Sequence, residues 1–136
     1  MTMVVQQEVA ERICAQAGEH SKLSILVQRY SRPELIASVP PEAFWPQPAV
    51  TSAIIRCTLM TERSFADDSA FWRLVRIGFS SRRKTLVNNF AAGLDLTKET
   101  ILTKLQTAGL KEKVRPQELR LEDWEHLSQT LLAQRP

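Results

Sequence analysis

Four of the chain's seven prolines fall within nine residues, "PPEAFWPQP" (40–48). Proline lacks a backbone N–H and fixes φ, so neither a helix interior nor a central strand can run through such a segment. Apolar runs rich in β-branched residues lie on both sides: "ELIASV" (34–39) after Pro33, and "SAIIRCTLM" (52–60). Each reads as a strand. The spacing predicts an antiparallel pair, or the edge of a larger sheet, joined by a stiffened loop. Phe44 and Trp45 stand side by side in that loop, where a surface connection would ordinarily be polar.

The rest of the chain is patterned differently. "VVQQEVAERICA" (4–15) places Val5, Val9 and Ile13 at i, i+4 and i+8, which predicts an amphipathic helix stopped near Gly18. "KLSILVQRY" (22–30) has no decisive period. A polar stretch at 61–69 suggests a boundary, giving units 1–62 and 63–136. Beyond it every pattern is helical. "DDSAFWRLVRIGF" starts at Asp68 or Ser69 and aligns Phe71, Leu74, Val75 and Gly78. A second helix is expected from a Ser80-Ser81 cap through Phe90, with Gly93 just past its end. A third has Thr97 as cap and Gly109 as its stop. The last starts at Pro116 and carries Trp124, Leu127 and Leu131 on one stripe. The expected fold is therefore an α/β portion followed by a small helical bundle. The first part cannot close a core on one helix and two strands, because an isolated hairpin is at best marginal.

Several chemistries find no support. His20 and His126 are far apart and have no cysteine pairs near them, so no metal site is expected. No phosphate-binding glycine loop or nucleophile elbow occurs. Acidic pairs such as Asp67-Asp68 and Glu122-Asp123 lie at helix starts, where they offset the helix dipole. Cys14 and Cys57 read as buried free thiols. No apolar run is long enough to span a membrane, and the first residues do not resemble a signal peptide, so a cytoplasmic protein without membrane contact is expected.

Charge points to a partner. The net charge is only +3, but Arg73, Arg76, Arg82, Arg83 and Lys84 lie in a stretch without any acid, and the remainder holds 13 basic against 15 acidic residues. Concentrated positive charge is the footprint of a polyphosphate-binding surface. Within "FSSRRKTLVNNF" (79–90) three cations at a helix start would oppose the helix dipole by about 0.3–1 kcal/mol each, a conflict that an anion would resolve. For the proline loop two readings stay open at this level: an aromatic tucked into a core, or a rigid platform on which a base stacks.

These blocks together resemble a known family. "MVVQQEVAERI", "LSILVQRY", "VPPEAFWPQPAVTSAIIR", "FWRLVRIGFSSRRKTLVNN" and "RPQELRLEDWEHL" follow, in order, the C-terminal half of the ribosomal RNA adenine dimethyltransferases. The proline loop and "FSSRRKTL" are shared with the erythromycin-resistance rRNA methyltransferases. The resemblance implies the last helices and strands of a Rossmann-like methyltransferase sheet, then a helical rRNA-binding domain. It implies methyl transfer from S-adenosylmethionine to N6 of two adjacent adenines of small-subunit rRNA, in a pre-30S particle. Phe44 would pack against the target adenine, with Pro46 and Pro48 fixing its approach. Arg82, Arg83, Lys84, Arg73, Arg76, Asn88 and Asn89 would meet the RNA. Where the family commonly has a lysine and an Asp or Asn in the loop, this chain has Ala49 and Thr51, and His20-Ser21 replaces a common Tyr-Gly pair. The family's glycine-rich donor turn and its Asn-Leu-Pro-Tyr motif do not occur in this sequence. An N-terminal half is therefore expected to be missing, and no cofactor is expected on this chain alone. A non-enzymatic RNA-binding remnant and one half of a split enzyme remain alternatives.

Overall fold

The computed structural model describes residues 1–60 and 68–131. It separates into two compact units. One comprises the described residues among Met1–Ala15 and Leu23–Ser64; the other comprises those among Gln16–Lys22 and Phe65–Pro136. The expected boundary at 62/63 lies outside the described residues.

The described residues of the first unit form three antiparallel strands, β1 (Thr2–Gln6), β2 (Ser31–Val39) and β3 (Ser52–Leu59), in the order β1-β3-β2. The paired strands flanking the proline loop are β2 and β3, with Val39 opposite Ser52. β1 pairs with the other side of β3, from Thr2 opposite Arg56 to Gln6 opposite Ser52. This corrects the helix expected from Val4. Val5 and Val9 do share a spacing of four, but Val5 belongs to a strand with alternating burial, and the helix α1 (Gln7–Ile13) begins only after it. β2 begins at Ser31 and runs through Pro33, whereas the strand was expected only over 34–39. An edge strand tolerates proline because the lost donor can face away from the ladder.

Alternate residues of β3, Ala53, Ile55 and Cys57, face a core completed by Ala10 and Ile13 of α1. Met3, Val5, Val9, Cys14, Leu23 and Val27 pack around it. The undecided segment forms α2 (Lys22–Tyr30). Its Gln28 amide donates to the carbonyls of Ile13 and Ala15, both at 2.9 Å, and so satisfies the end of α1. Cys14 is only partly buried, and Cys57 is buried as expected.

Among its described residues the second unit holds four α-helices, α3 (Ser69–Gly78), α4 (Leu86–Gly93), α5 (Lys98–Thr107) and α6 (Leu121–Leu131). α3 packs on α4 and α6, and α5 packs on α4 and α6. Trp124 is wholly buried, stacked on Phe79 at 5.4 Å and met edge-on by Phe90 at 6.4 Å. A Cβ on Gly78 would stand 2.5 Å from the Trp124 ring, so only glycine fits there. Thr97 caps α5 by accepting from the Thr100 N–H at 3.2 Å, and Gly109 ends it with φ +78°.

Three helix boundaries of this second unit differ from expectation. Pro116 opens a short 3-10 turn, Pro116–Glu118, and α6 starts afresh at Leu121. Gly93 is the last residue of α4 rather than lying past it, and a Cβ there would meet Ile77 Cγ2 at 2.5 Å. α4 is capped by Thr85, whose Oγ1 accepts from the Asn88 N–H at 3.3 Å, not by Ser80 or Ser81. The Ser80 hydroxyl instead donates back to the carbonyl of Ile77 at 2.7 Å, closing α3.

Candidate nucleic-acid interface

Two features carry the residues expected to meet RNA, one in each unit. In the first unit, the segment between β2 and β3 begins with a 3-10 turn, Pro41–Ala43, closed by Ala43 N–H to Pro40 O and Phe44 N–H to Pro41 O. Phe44 then takes extended backbone (φ −114°, ψ 152°), and the Trp45–Pro46 peptide is cis. Pro46 is exposed and Pro48 half-buried.

Gln7 ties both legs of this loop. Its backbone N–H donates to Thr51 O at 2.9 Å, just before β3. Its side-chain oxygen accepts from the Ser38 hydroxyl at 2.8 Å, just before the loop starts. Its amide nitrogen donates to Glu11 at 3.1 Å, which fixes the orientation of the group, since a carboxylate can only accept. Nothing in the sequence pattern marked Gln7; its role depends on β1 lying beside β3, which was not foreseen.

The loop therefore has a fixed base and exposed rings at its tip. Phe44 is 36% exposed and Trp45 is 96% exposed. Phe44 is thus half-covered and not a core residue. Trp45, singled out with Phe44 in the sequence but given no separate role, is the freer ring.

In the second unit, Arg82, Arg83 and Lys84 are all exposed and form the turn between α3 and α4. They precede the cap of α4 rather than occupying its first turn, so the expected opposition to the helix dipole is relieved in part by position. Lys84 N–H donates to Ser81 O at 3.3 Å within the turn. Arg82 reaches the His20 carbonyl at 3.4 Å. Arg73 and Arg76 are exposed on α3, three positions apart, and so share a face. Among the described residues none of these five cations has an acidic partner within ion-pair distance.

The two asparagines part company. Asn88 is exposed beside the cationic turn. Asn89, expected to face RNA, is 2% exposed, and its amide donates to Gly78 O and Ser81 O, each at 2.8 Å. Both donors are committed to carbonyls at the start of the turn, so Asn89 shapes the cationic turn from within. Among the described residues no cluster of His, Cys, Asp and Glu could hold a metal ion, and no helix is long and apolar enough to cross a membrane.

The model of the ribosomal RNA adenine dimethylase family matches residues 1–132. The chain belongs to this family. It is 38% identical over 135 residues to the ribosomal RNA small subunit methyltransferase A of Desulfitobacterium hafniense, covering 97% of this chain and 49% of that protein. The corresponding protein of Dehalococcoides mccartyi is 39% identical over 132 residues, covering 93% and 44%. The chain thus spans about half the length of the curated relatives it matches. Among solved structures, a dimethyladenosine transferase from Plasmodium falciparum is similar with a TM-score of 0.78 at 25% identity, over 93% of this chain and 55% of that one. The 23S rRNA methyltransferase ErmE shares the fold, with a TM-score of 0.69 at 23% identity over 96% and 53%.

Proposed function

We propose that this chain supplies the base-holding loop and the RNA-gripping helices of an S-adenosylmethionine-dependent rRNA adenine-N6 dimethyltransferase, acting on two adjacent adenines of small-subunit rRNA in a pre-30S particle. The observation that carries this reading is the family match over nearly the whole chain, together with a half-exposed Phe44 on a loop pinned at both legs. An exocyclic amine inside a duplex is unreachable, so the base must leave its stack and be held. Phe44 offers one face for that base, and Pro46 and Pro48 keep the loop from collapsing onto itself. Arg82, Arg83, Lys84, Arg73 and Arg76 serve the phosphates, which set register and affinity without reading sequence.

The methyl donor does not fit this chain. Its four glycines serve turns and close helix packing, and none opens a strand-to-helix cradle for a nucleotide. Donor binding therefore belongs to further strands of a Rossmann-like sheet. Among the described residues the outer edge of β1 has no strand beside it, and Val4, Leu35 and Ile36 on the sheet are exposed. The bare edge suits a sheet that continues, and the exposed apolar side chains suit further packing on its faces.

The test is methyl transfer into undermodified small-subunit particles by this chain joined to the N-terminal half of a relative. Dimethyladenosine at two neighbouring positions is expected, whereas the chain alone should bind no donor in calorimetry. RNA binding with no transfer by the joined protein would leave an RNA-binding module instead.

A further inference from the structure

Trp45 lies outside the roles assigned so far. At 96% exposure its indole makes almost no contact with the chain that carries it. An aromatic side chain can bury 150–250 Å² when it finds a partner. A free ring on a mobile segment would be unremarkable surface. Here the segment is held: Gln7 ties Ser38 and Thr51, and the Pro41–Ala43 turn fixes the approach to the rings.

The backbone decides which partner the ring can take. Phe44 is extended, and in extended chain successive side chains project to opposite sides. The difference in exposure agrees, with one ring half-covered and the next nearly bare. The two rings therefore cannot stack on the same base. They can take two bases of one strand.

We propose that Trp45 is a second stacking site, which holds an unpaired base flanking the one seated on Phe44 and so keeps the strand open while the target is out. The occupant is single-stranded RNA rather than duplex, because a paired base shows no face to an indole. This rests on the adenine-methylation reading for the identity of the base on Phe44. Family membership and the acid-free cationic stretch favour RNA over a protein partner.

The experiment uses the 136-residue chain and two RNAs, a hairpin whose loop contains two adjacent adenines and a blunt duplex of equal length. Trp45 emission is obtained as the difference between the wild-type and Trp45→Phe spectra. Saturating hairpin should quench it and shield it from iodide, and the duplex should do neither. Trp45→Ala should weaken hairpin binding by about 5–140-fold, the effect of losing one stacked base. Trp45→Phe should keep most of the affinity, and duplex binding should be the same for all three proteins. Unchanged emission with bound hairpin, or an equal loss on the duplex, overturns the proposal. So does emission already shielded in the protein joined to a relative's N-terminal half before RNA is added, which would make the ring a protein contact. Phe44→Leu, titrated in this chain and assayed for methyl transfer after joining to a relative's N-terminal half, separates the two readings. If it leaves methyl transfer intact while Trp45 is still quenched, the base assignment on Phe44 fails and the Trp45 contact stands.

Discussion

Asn89 donates its side-chain amide to the carbonyl of Ser81 at 2.8 Å from a position that is 2% exposed. The same amide holds Gly78 O, so one buried group fixes the end of α3 and the start of the cationic turn. Removing it leaves two carbonyls without their donor. Asn89→Ala is expected to cost about 1–3 kcal/mol in denaturant unfolding. Asn89→Asp should cost at least as much, because a carboxylate would face two acceptors. Both variants should loosen RNA binding while leaving its salt dependence intact, since no cation is lost.

What the sequence made legible follows from the range of each signal. The strands flanking the proline loop and the Thr97 cap were readable because alternation and capping are local. β1 was not, since five alternating residues run straight into a seven-residue helix and Val5 and Val9 counterfeit one helical face. The α4 start was misplaced because Ser80, Ser81 and Thr85 are all capping residues. The bond each one makes selects among them: Ser80 donates back to the Ile77 carbonyl, while Thr85 accepts from the Asn88 N–H, and the residue types alone do not record which. Gln7 and Asn89 were out of reach for the same reason. Their roles are hydrogen bonds to segments distant in sequence, which no periodicity records.

The cations of the α3–α4 turn should act through charge. Changing Arg82, Arg83 and Lys84 together to alanine should weaken binding across RNA sequences alike. The slope of log affinity against log salt should shrink by about 2–3 units, near 0.7–0.9 for each lost phosphate contact. A slope that stays put would make the turn an ordinary solvated surface.

Gly78 tests the packing beneath that turn. A methyl group there would enter the Trp124 ring at 2.5 Å, and Trp124 is wholly buried and stacked on Phe79. Gly78→Ala should therefore destabilise the chain by about 1–3 kcal/mol through overpacking, despite alanine's better helix propensity. The change is read as a lowered denaturation midpoint with an unchanged slope.

Burial pushes the Cys14 thiol above its ordinary value of 9.0, and the nearby Cys57 adds to the rise. A thiol whose folded pKa is raised contributes stability that is fully present below the unfolded value and is lost as pH rises through the folded one. Stability should thus fall in the alkaline range above pH 9.0, and Cys14→Ala should blunt that fall. Alkylation of Cys14 in the folded chain should reach half-rate at a higher pH than in a denatured control, and equal midpoints would contradict the shift.

Phe44 separates a platform from filler. Its ring is 36% exposed, so truncation removes only partial burial, and Phe44→Ala should cost less than about 1.5 kcal/mol, against about 3–5 kcal/mol for a core phenylalanine. In the protein joined to a relative's N-terminal half, the same change should lower methyl transfer by far more than it weakens RNA binding, because phosphate contacts carry most of that affinity. The informative pair is Phe44→Tyr and Phe44→Leu. Leucine fills similar space and keeps the loop's apolar contact, but it offers no flat face. Tyrosine keeps the face and adds a hydroxyl that a half-exposed site can leave in water. Transfer should survive in the tyrosine variant and fall in the leucine variant, with both melting close to the parent. Equal transfer by the two would mean that the ring supports the loop and does not receive a base.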